Sequence, residues 1–177
     1  MSKDRHKIMK IVSDKAPRVE VASILTGDEI AAIHEFMHHY PQARSASLDA
    51  LKIVQKRNGW VDDAQVNAIA NILDIPTTDM DGVATFYNRI YRQPVGRHVI
   101  LICDSVSCYL TGYEALSAEF KSQLGIEYGQ TTTDGRFTLL PICCLGNCDK
   151  GPAVLINEDT YGPVQPTEVA QLLELYA

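Results

Sequence analysis

Four cysteines of this chain fall into two close pairs, and thiols in such an arrangement can bind metal. Cys103 and Cys108 form a C-x4-C pair, and after 35 intervening residues Cys144 and Cys148 form a C-x3-C pair. A [2Fe–2S] cluster needs four thiolates, two on each iron. The second pair also lies in a segment rich in turn-forming residues, 141–152, where loops can bring ligands together. The spacing therefore favours an iron–sulfur centre on these four residues.

Other uses of the cysteines remain open on spacing alone. Structural zinc sites prefer C-x2-C pairs or Cys/His mixtures, and neither pair has that form. Disulfides suit an oxidising compartment, but the chain has five cysteines, an odd number, and its N-terminus lacks the apolar stretch of a secretion signal. A thioredoxin-type dithiol needs C-x-x-C, which does not occur. Zinc and redox-active or buried thiols stay as alternatives to the cluster.

Cys143, directly before Cys144, is the fifth cysteine. If the preceding strand continues through both residues, their side chains point to opposite faces. We therefore predict that Cys144 faces the site and that Cys143 is a buried free thiol, since free cysteine packs as a small hydrophobe. The alternative is a redox-sensing vicinal pair in the cluster-free protein.

The sequence pattern around these cysteines predicts an α/β domain. The pattern is strand–helix–strand–strand–helix, which a small thioredoxin-like sheet accommodates. The expected ranges are strands at His98–Cys103, Phe137–Ile142 and 153–157, and helices at 109–124 and 166–176. Every proposed ligand then lies at the end of an element, so the loops could gather all four at one edge of the sheet.

Before this domain, the sequence predicts a helical bundle over residues 26–92. Thr26 and Glu29 have the spacing of a capping box at the start of a first helix. Further helices are expected at 47–58, at 62–73, and from Thr77 or Thr78 to near Gly82. Residues 1–25 show no clear periodicity and are expected to form a tail. The segment Gln93–Gly96 is expected to separate the bundle from an α/β domain over 93–177.

Composition limits the classes of function. With 46% hydrophobic and 21% charged residues and a formal net charge of −6, the chain has the profile of a soluble globular protein. No basic stretch is available to neutralise the phosphates of nucleic acid. No apolar run has the length of a membrane span. We expect a cytoplasmic protein whose reduced thiols are free to bind metal.

Two further motifs carry weaker signals. His34, His38 and His39 could ligate metal from one helix, but no H-E-x-x-H motif accompanies them, and a solvated helix face is the favoured interpretation. The segment Gly82–Tyr87 lacks a phosphate-binding glycine pattern and is interpreted as a packing and partner surface. The sequence contains no dinucleotide fingerprint, so we do not expect the chain to bind NADH itself.

Five stretches carry a resemblance to a known family. They are 50–56 (ALKIVQK), 82–87 (GVATFY), 93–99 (QPVGRHV), 103–105 (CDS) and 134–152, which contains the Cys-Leu-Gly-Asn-Cys loop. On these residues the chain resembles the E subunits of bacterial NADH:quinone oxidoreductase, respiratory complex I, the counterparts of the mitochondrial flavoprotein-2 subunit. The resemblance covers roughly residues 28–177, and the loop motif is highly specific.

The resemblance implies both a cofactor and partners. It implies an N-terminal helical domain, a thioredoxin-like C-terminal domain and one [2Fe–2S] cluster on Cys103, Cys108, Cys144 and Cys148, with Cys143 outside the ligand set. FMN and NADH would be bound by a neighbouring subunit, with which the cluster exchanges single electrons. The implied partners are that flavin- and NADH-binding subunit and the large iron–sulfur subunit of a peripheral arm, beside the inner membrane but without a membrane span.

Related families leave two alternatives. The chain could belong to the diaphorase module of an NAD-linked hydrogenase or formate dehydrogenase, which share this fold and motif. In a different class, it could be a zinc-stabilised, non-redox assembly module. Zinc is colourless, so the colour of the purified protein separates the two classes.

Overall fold

A computed structural model of the chain describes residues 18–176. The chain divides into two compact units, residues 1–92 and residues 93–177. The described part of the first unit is all-helical. Its α-helices are α1 (Val21–Ile24), α2 (Gly27–His38), α3 (Ser47–Asn58), α4 (Asp63–Leu73) and α5 (Thr77–Phe86), with a 3-10 turn at Ala43–Ala46 before α3.

The ends of these helices follow from local side-chain chemistry. At the start of α2, the Glu29 N–H donates to Thr26 Oγ1 at 3.2 Å and the Thr26 N–H donates to Glu29 Oε2 at 2.8 Å, which confirms the predicted capping box. Asp62 and Gln65 form the same reciprocal pair at the start of α4. Gly59 ends α3 with a φ of 79°, a conformation that costs glycine little.

Packing of the first unit begins earlier than residue 26. Within the expected tail, Val21–Ile24 forms a helical turn and Leu25 is buried in the helical core. Arg57 holds this region, since it donates to Glu29 Oε1 at 2.8 Å and to the Ile24 carbonyl at 3.3 Å. The rest of the predicted tail, residues 1–17, lies outside the described residues.

The prediction that the fourth helix ends near Gly82 is wrong. Helix α5 continues to Phe86, and the Tyr87 N–H still donates to the Val83 carbonyl at 3.3 Å. Gly82 therefore lies inside the helix, where its low helix propensity is outweighed by the packing of Met80 and Ala84 into the core.

The second unit is built on a four-stranded mixed sheet. Its strands are β1 (His98–Cys103), β2 (Phe137–Ile142), β3 (Val154–Ile156) and β4 (Asp159–Tyr161), in the order β2-β1-β3-β4. Strand β1 runs parallel to β2 and antiparallel to β3, which pairs antiparallel with β4. The bounds predicted for β1 and β2 are confirmed. The expected third strand is shorter, and β4 was not predicted.

Helices pack on the sheet and supply the rest of this core. The single helix expected over 109–124 is in fact two, α6 (Val106–Leu110) and α7 (Tyr113–Leu124), separated by Gly112 with a φ of 118°. After a 3-10 turn at Pro166–Glu168, helix α8 (Val169–Glu174) follows. The largest buried side chains of this core include Ile100, Ile102, Leu116, Phe120, Leu139 and Ile156. No helix among residues 18–176 has the length and apolarity needed to cross a membrane.

Candidate metal centre

The sheet topology brings the two cysteine pairs to one edge. Cys103 ends β1 and is paired with Ile142, the last residue of the parallel strand β2. The chain after Ile142 therefore passes directly beside Cys103, whose Sγ lies 3.7 Å from the Cys143 carbonyl oxygen. Cys108 follows on α6. Cys103 and Cys108 are both buried, whereas Cys144 and Cys148 are exposed.

The second pair has the separation expected of two ligands on one metal ion. Cys144 Sγ lies 3.8 Å from Cys148 Sγ. Two sulfurs on a tetrahedral ion with metal–sulfur bonds of about 2.3 Å are about 3.8 Å apart. A turn sets this distance, and Gly146 within it has a φ of 76°, which disfavours any residue with a Cβ. The Gly146 N–H donates to Cys144 Sγ at 3.4 Å.

The electrostatics of the exposed pair favour one thiolate. The Gly146 N–H lowers the pKa of Cys144, and the neighbouring Cys148, Ser105 and Cys103 side chains lower it further. The pKa of Cys148 is raised, first by its hydrogen bond to Cys144 and then by the charge of that thiolate, while the Ser107 hydroxyl opposes the rise. The two sulfurs thus compete for one negative charge. A cation between them removes the competition, because a coordinating thiol is deprotonated outright.

Cys108, in the buried pair, shows the same need for a cation. Burial raises the pKa of Cys108, Cys103 and Cys148 raise it further, and a hydrogen bond from the Ala153 backbone opposes the rise. A thiolate at this depth is costly unless a positive charge compensates it. Four thiols whose charges oppose one another, divided into a buried and an exposed pair, fit the donor set of a binuclear thiolate-bound centre.

Two glycines allow the loop to approach α6 closely. A Cβ on Gly151 would lie 2.7 Å from Thr111 Oγ1 and 3.5 Å from Cys108 Sγ. A Cβ on Gly162 would overlap the Lys150 carbonyl oxygen, in the 3-10 turn Cys148–Lys150. Sequence reasoning missed both glycines. The available signal was that each precedes a proline, a dipeptide typical of tight turns.

The prediction that Cys143 is buried is wrong, because its side chain is exposed. Strand β2 ends at Ile142, so the alternation of strand side chains does not extend to Cys143 and Cys144. What Cys143 contributes to the site is its carbonyl group beside Cys103.

Ligands for a single ion are not grouped in the described part of the chain. Among residues 18–176, no three His, Cys, Asp or Glu side chains are arranged to hold one metal ion. His34, His38 and His39 are exposed on and just after α2 and form no such group either.

Comparisons with known proteins identify similar chains. The family model described as thioredoxin-like [2Fe-2S] ferredoxin matches residues 33–177. The E subunit of the NADH-quinone oxidoreductase of Pseudomonas aeruginosa is 58% identical over 153 residues, which cover 86% of this chain and 92% of that protein. The corresponding E subunit of Escherichia coli K12 is 53% identical over 163 residues, covering 92% of this chain and 98% of that protein.

A solved structure shares the fold at lower identity. An NAD+-reducing [NiFe]-hydrogenase in the H2-reduced state superimposes with a TM-score of 0.60 and 24% identity, covering 71% of this chain and 22% of that chain. At that identity the likeness concerns the fold alone.

Proposed function

This chain belongs to the thioredoxin-like [2Fe–2S] ferredoxin family, and from that premise we propose that it is the electron-transfer subunit of an NADH:quinone oxidoreductase. The observation that carries the proposal is the meeting of two cysteine pairs at one sheet edge, in a chain 58% and 53% identical to the E subunits of two such oxidoreductases. The family match includes both parts of the fold, since residues 33–177 comprise helices α3 to α5 as well as the α/β unit.

The four cysteines of the two pairs are the proposed ligands of one [2Fe–2S] cluster. Cys144 and Cys148, 3.8 Å apart, would share one iron, and Cys103 and Cys108 the other. The cluster, when bound, supplies one-electron transfer at a potential set by burial and by hydrogen bonds to its sulfurs.

The surrounding residues orient the ligands and adjust their charge. The Gly146 N–H donates to Cys144 Sγ, the Ser105 hydroxyl lowers the pKa of Cys144, and the Ser107 hydroxyl opposes the rise in the pKa of Cys148. Hydrogen bonds of this kind stabilise charge on sulfur. Burial of Cys103 and Cys108 keeps water from one side of the centre.

The proposed function requires a flavin on another subunit. NADH gives up two electrons together as a hydride, whereas a cluster accepts one electron at a time, so an organic cofactor must stand between them. The sequence of this chain has no dinucleotide fingerprint. We place FMN and NADH on a neighbouring subunit, with a large iron–sulfur subunit as second partner in a peripheral arm on the cytoplasmic side of the membrane.

The segment Gly82–Tyr87 remains a candidate partner surface. Phe86, at the end of α5, is 76% exposed, and Tyr87 beside it is exposed as well.

The first experiment tests the cofactor. The chain, purified anaerobically from its native host, should be brown-red and contain two iron and two acid-labile sulfide per chain. Stoichiometric zinc without labile sulfide would contradict the proposal and support a zinc-stabilised assembly module.

The second experiment tests the electron path. NADH should bleach the cluster only when the flavin-bearing subunit is added, and it should not do so with this chain alone. Rapid bleaching by NADH in a flavin-free, partner-free sample would show a nucleotide site on this chain. Identification of the copurified subunits separates a quinone-linked complex from a hydrogenase or formate dehydrogenase module.

A further inference from the structure

The helical unit contains a polar cleft whose lining includes none of the cysteines. The cleft has a volume of about 340 Å³ and is lined by residues of α4 and α5 and by Arg92. The lining residues that matter below are Asp63, Val66, Asn67, Thr77, Asp81 and Arg92. All of them belong to the first unit, residues 1–92. A water molecule takes up about 30 Å³ of the liquid, and small-molecule sites begin at about 300 Å³. The cleft therefore has room for a small organic ligand.

Two buried polar atoms of this cleft lack a hydrogen-bond partner. In the part of the chain that the structure describes, Asn67 Oδ1 and Thr77 Oγ1 are the two buried side-chain nitrogen or oxygen atoms without one. Both residues line the cleft. Buried polar atoms are nearly always hydrogen-bonded, because an unpaired one costs folding free energy. That both exceptions occur in one cleft points to a group that enters it and completes these bonds.

The fixed charges of the cleft favour a positively charged ligand. Asp63 and Asp81 share one guanidinium, since Arg92 Nη2 lies 2.5 Å from Asp63 Oδ1 and 3.2 Å from Asp81 Oδ1. Arg92 is held in this position, because its Nη1 donates to the Val61 carbonyl at 2.9 Å. Two carboxylates against one guanidinium leave a formal negative charge uncompensated. A carboxylate accepts several hydrogen bonds, and the Asp63 side chain is 93% exposed, so it can accept another donor without losing Arg92.

An anion fits the cleft less well. The first turn of a helix carries partial positive charge, but the first turn of α5 already contains the carboxylate of Asp79, which accepts from Arg44 at 2.9 Å. Asn67 Oδ1 is an acceptor, and a fully ionised anion has no N–H or O–H to donate to it. Such a ligand would leave the Asn67 oxygen unpaired and would meet an excess of carboxylate.

A divalent metal ion also fits less well than an amine. Among residues 18–176, no three His, Cys, Asp or Glu side chains are grouped to hold one metal ion. An ion on Asp63 and Asp81 would in addition face the like charge of Arg92. A primary ammonium group carries a single charge and three N–H donors. Three donors match the two unpartnered atoms and one carboxylate.

We propose that this cleft binds a small aliphatic amine. Its ammonium group would donate to Asn67 Oδ1, to Thr77 Oγ1 and to the carboxylate of Asp63 or Asp81, and its aliphatic chain would occupy the remaining volume beside Val66. The inference goes beyond the proposed function, because it requires neither the cysteines nor a partner subunit. Iron and sulfide per chain therefore report separately on the cluster in every experiment below.

The test titrates the full-length, cluster-loaded chain with spermidine by calorimetry at low ionic strength. The wild type should show a single saturable site. Asn67→Ala should weaken the Kd by about tenfold or more, because it removes an acceptor for a charged donor. Without spermidine its melting temperature should not fall, since Asn67 Oδ1 has no bond to lose and alanine suits a helix. Spermidine should raise the melting temperature of the wild type more than that of Asn67→Ala.

Two more variants complete this titration. Thr77→Val removes the hydroxyl and keeps the branched shape, so it should also weaken spermidine binding. Asn58→Ala is the matched control, because Asn58 is exposed at the end of α3 and is not part of the lining. Its Kd should equal that of the wild type. Iron and sulfide content should stay at the wild-type level in all three variants.

A lysine of residues 1–17 could supply the same ammonium group. Lys3, Lys7, Lys10 and Lys15 lie in that segment. A full-length variant that combines Lys3→Gln, Lys7→Gln, Lys10→Gln and Lys15→Gln distinguishes the two sources. Spermidine affinity equal to that of the wild type would support a free amine as the ligand. Tighter binding by the variant would show that a lysine of the chain itself occupies the cleft, and would overturn the proposal of a free amine.

Three other results would overturn the proposal. Absence of saturable spermidine binding to the wild type at millimolar concentration would leave the cleft to water. Equal affinity of the wild type and Asn67→Ala would place the binding elsewhere on this acidic chain. Displacement of spermidine by Mg²⁺ or by inorganic phosphate from the wild type, with direct binding of that ion lost in Asn67→Ala, would assign the cleft to the ion.

Discussion

Cys144 and Cys148 lie on one turn, and each thiol shifts the pKa of the other. Their sulfurs lie 3.8 Å apart, the Gly146 N–H between them donates to Cys144 Sγ, and the pKa of Cys144 is lowered while that of Cys148 is raised. The 3.8 Å distance is about that between two sulfurs on one tetrahedral metal ion. Cys143, its immediate neighbour, does not take part through its side chain.

Substitution of the two neighbouring cysteines should therefore have opposite results. Cys144→Ser should lose or severely distort the cluster, because it removes one sulfur of the 3.8 Å pair. Cys143→Ser should keep the visible and EPR spectra of the wild type, because the Cys143 thiol is exposed and only its backbone carbonyl meets Cys103. Iron and sulfide content with EPR spectroscopy checks both variants. Equal cluster loss in the two would undo the ligand assignment.

The sequence predicted those parts of the fold that uninterrupted patterns encode. The apolar runs His98–Cys103 and Phe137–Ile142 gave β1 and β2 with their observed bounds. Strand β4, Asp159–Tyr161, has no apolar pattern because it is a short, largely exposed edge strand. The predicted end of α5 near Gly82 is wrong because core packing of Met80 and Ala84 outweighs the low helix propensity of glycine.

The spacing of the cysteines was enough to propose them as the candidate site, but it did not predict the contacts around them. The exposure of Cys143 did not follow from strand alternation, because β2 ends at Ile142 and the alternation of side chains does not extend into the loop. The contacts at Gly151 and Gly162 join segments distant in sequence. Local periodicity in a sequence predicts helices and strands, but it does not predict contacts between segments that are distant along the chain.

Removal of the hydroxyl at Ser105 should lower the reduction potential of the cluster. Ser105 is the N-terminal cap residue of α6, yet its side chain makes no capping hydrogen bond. After Gly146 and Cys148, its hydroxyl is the next group that lowers the pKa of Cys144. Fewer hydrogen bonds to sulfur disfavour the more negative, reduced cluster. An EPR-monitored redox titration of Ser105→Ala measures the shift.

The control for that titration is Ser122→Ala, an exposed serine on α7. It should leave the potential unchanged. Because no capping bond is lost in Ser105→Ala, its thermal stability should also match the wild type. An unchanged potential in Ser105→Ala would exclude a role of this hydroxyl toward the cluster.

Acid should weaken the second unit through His98. Asn157 Oδ1 accepts from the Val99 N–H at 3.1 Å, so the Asn157 amide nitrogen faces His98 Nδ1 at 2.9 Å, and that ring nitrogen must be unprotonated. Burial, and then the charges of Arg97 and Arg136, lower the pKa of His98. A folded-state pKa below the unfolded value of about 6.5 gives stability that is complete above that pH and lost as pH falls.

The pH prediction is checked by thermal unfolding at pH 7.5 and pH 5.5. The melting temperature of the wild type should fall more over this range than that of His98→Gln, which keeps a polar side chain but does not titrate. Parallel losses in the two proteins would assign the acid sensitivity to other groups.

A methyl group at position 162 should disturb the candidate centre, although Gly162 lies well after Cys148 in the sequence. In Gly162→Ala the new Cβ would overlap the Lys150 carbonyl oxygen and lie 2.9 Å from Asn147 Nδ2. The backbone of the 3-10 turn would have to move, and Cys148 is its first residue. We expect a loss of stability of about 1–3 kcal/mol, typical of overpacking, together with a lower iron content.

Gly82→Ala is the matched control, since nothing lies within 4 Å of a Cβ there. Because Gly82 lies inside α5, alanine should raise stability by about 0.5–1 kcal/mol. Melting temperature and iron per chain, measured on both variants, decide the matter: a Gly162→Ala protein with wild-type values of both would show that the loop does not depend on this contact.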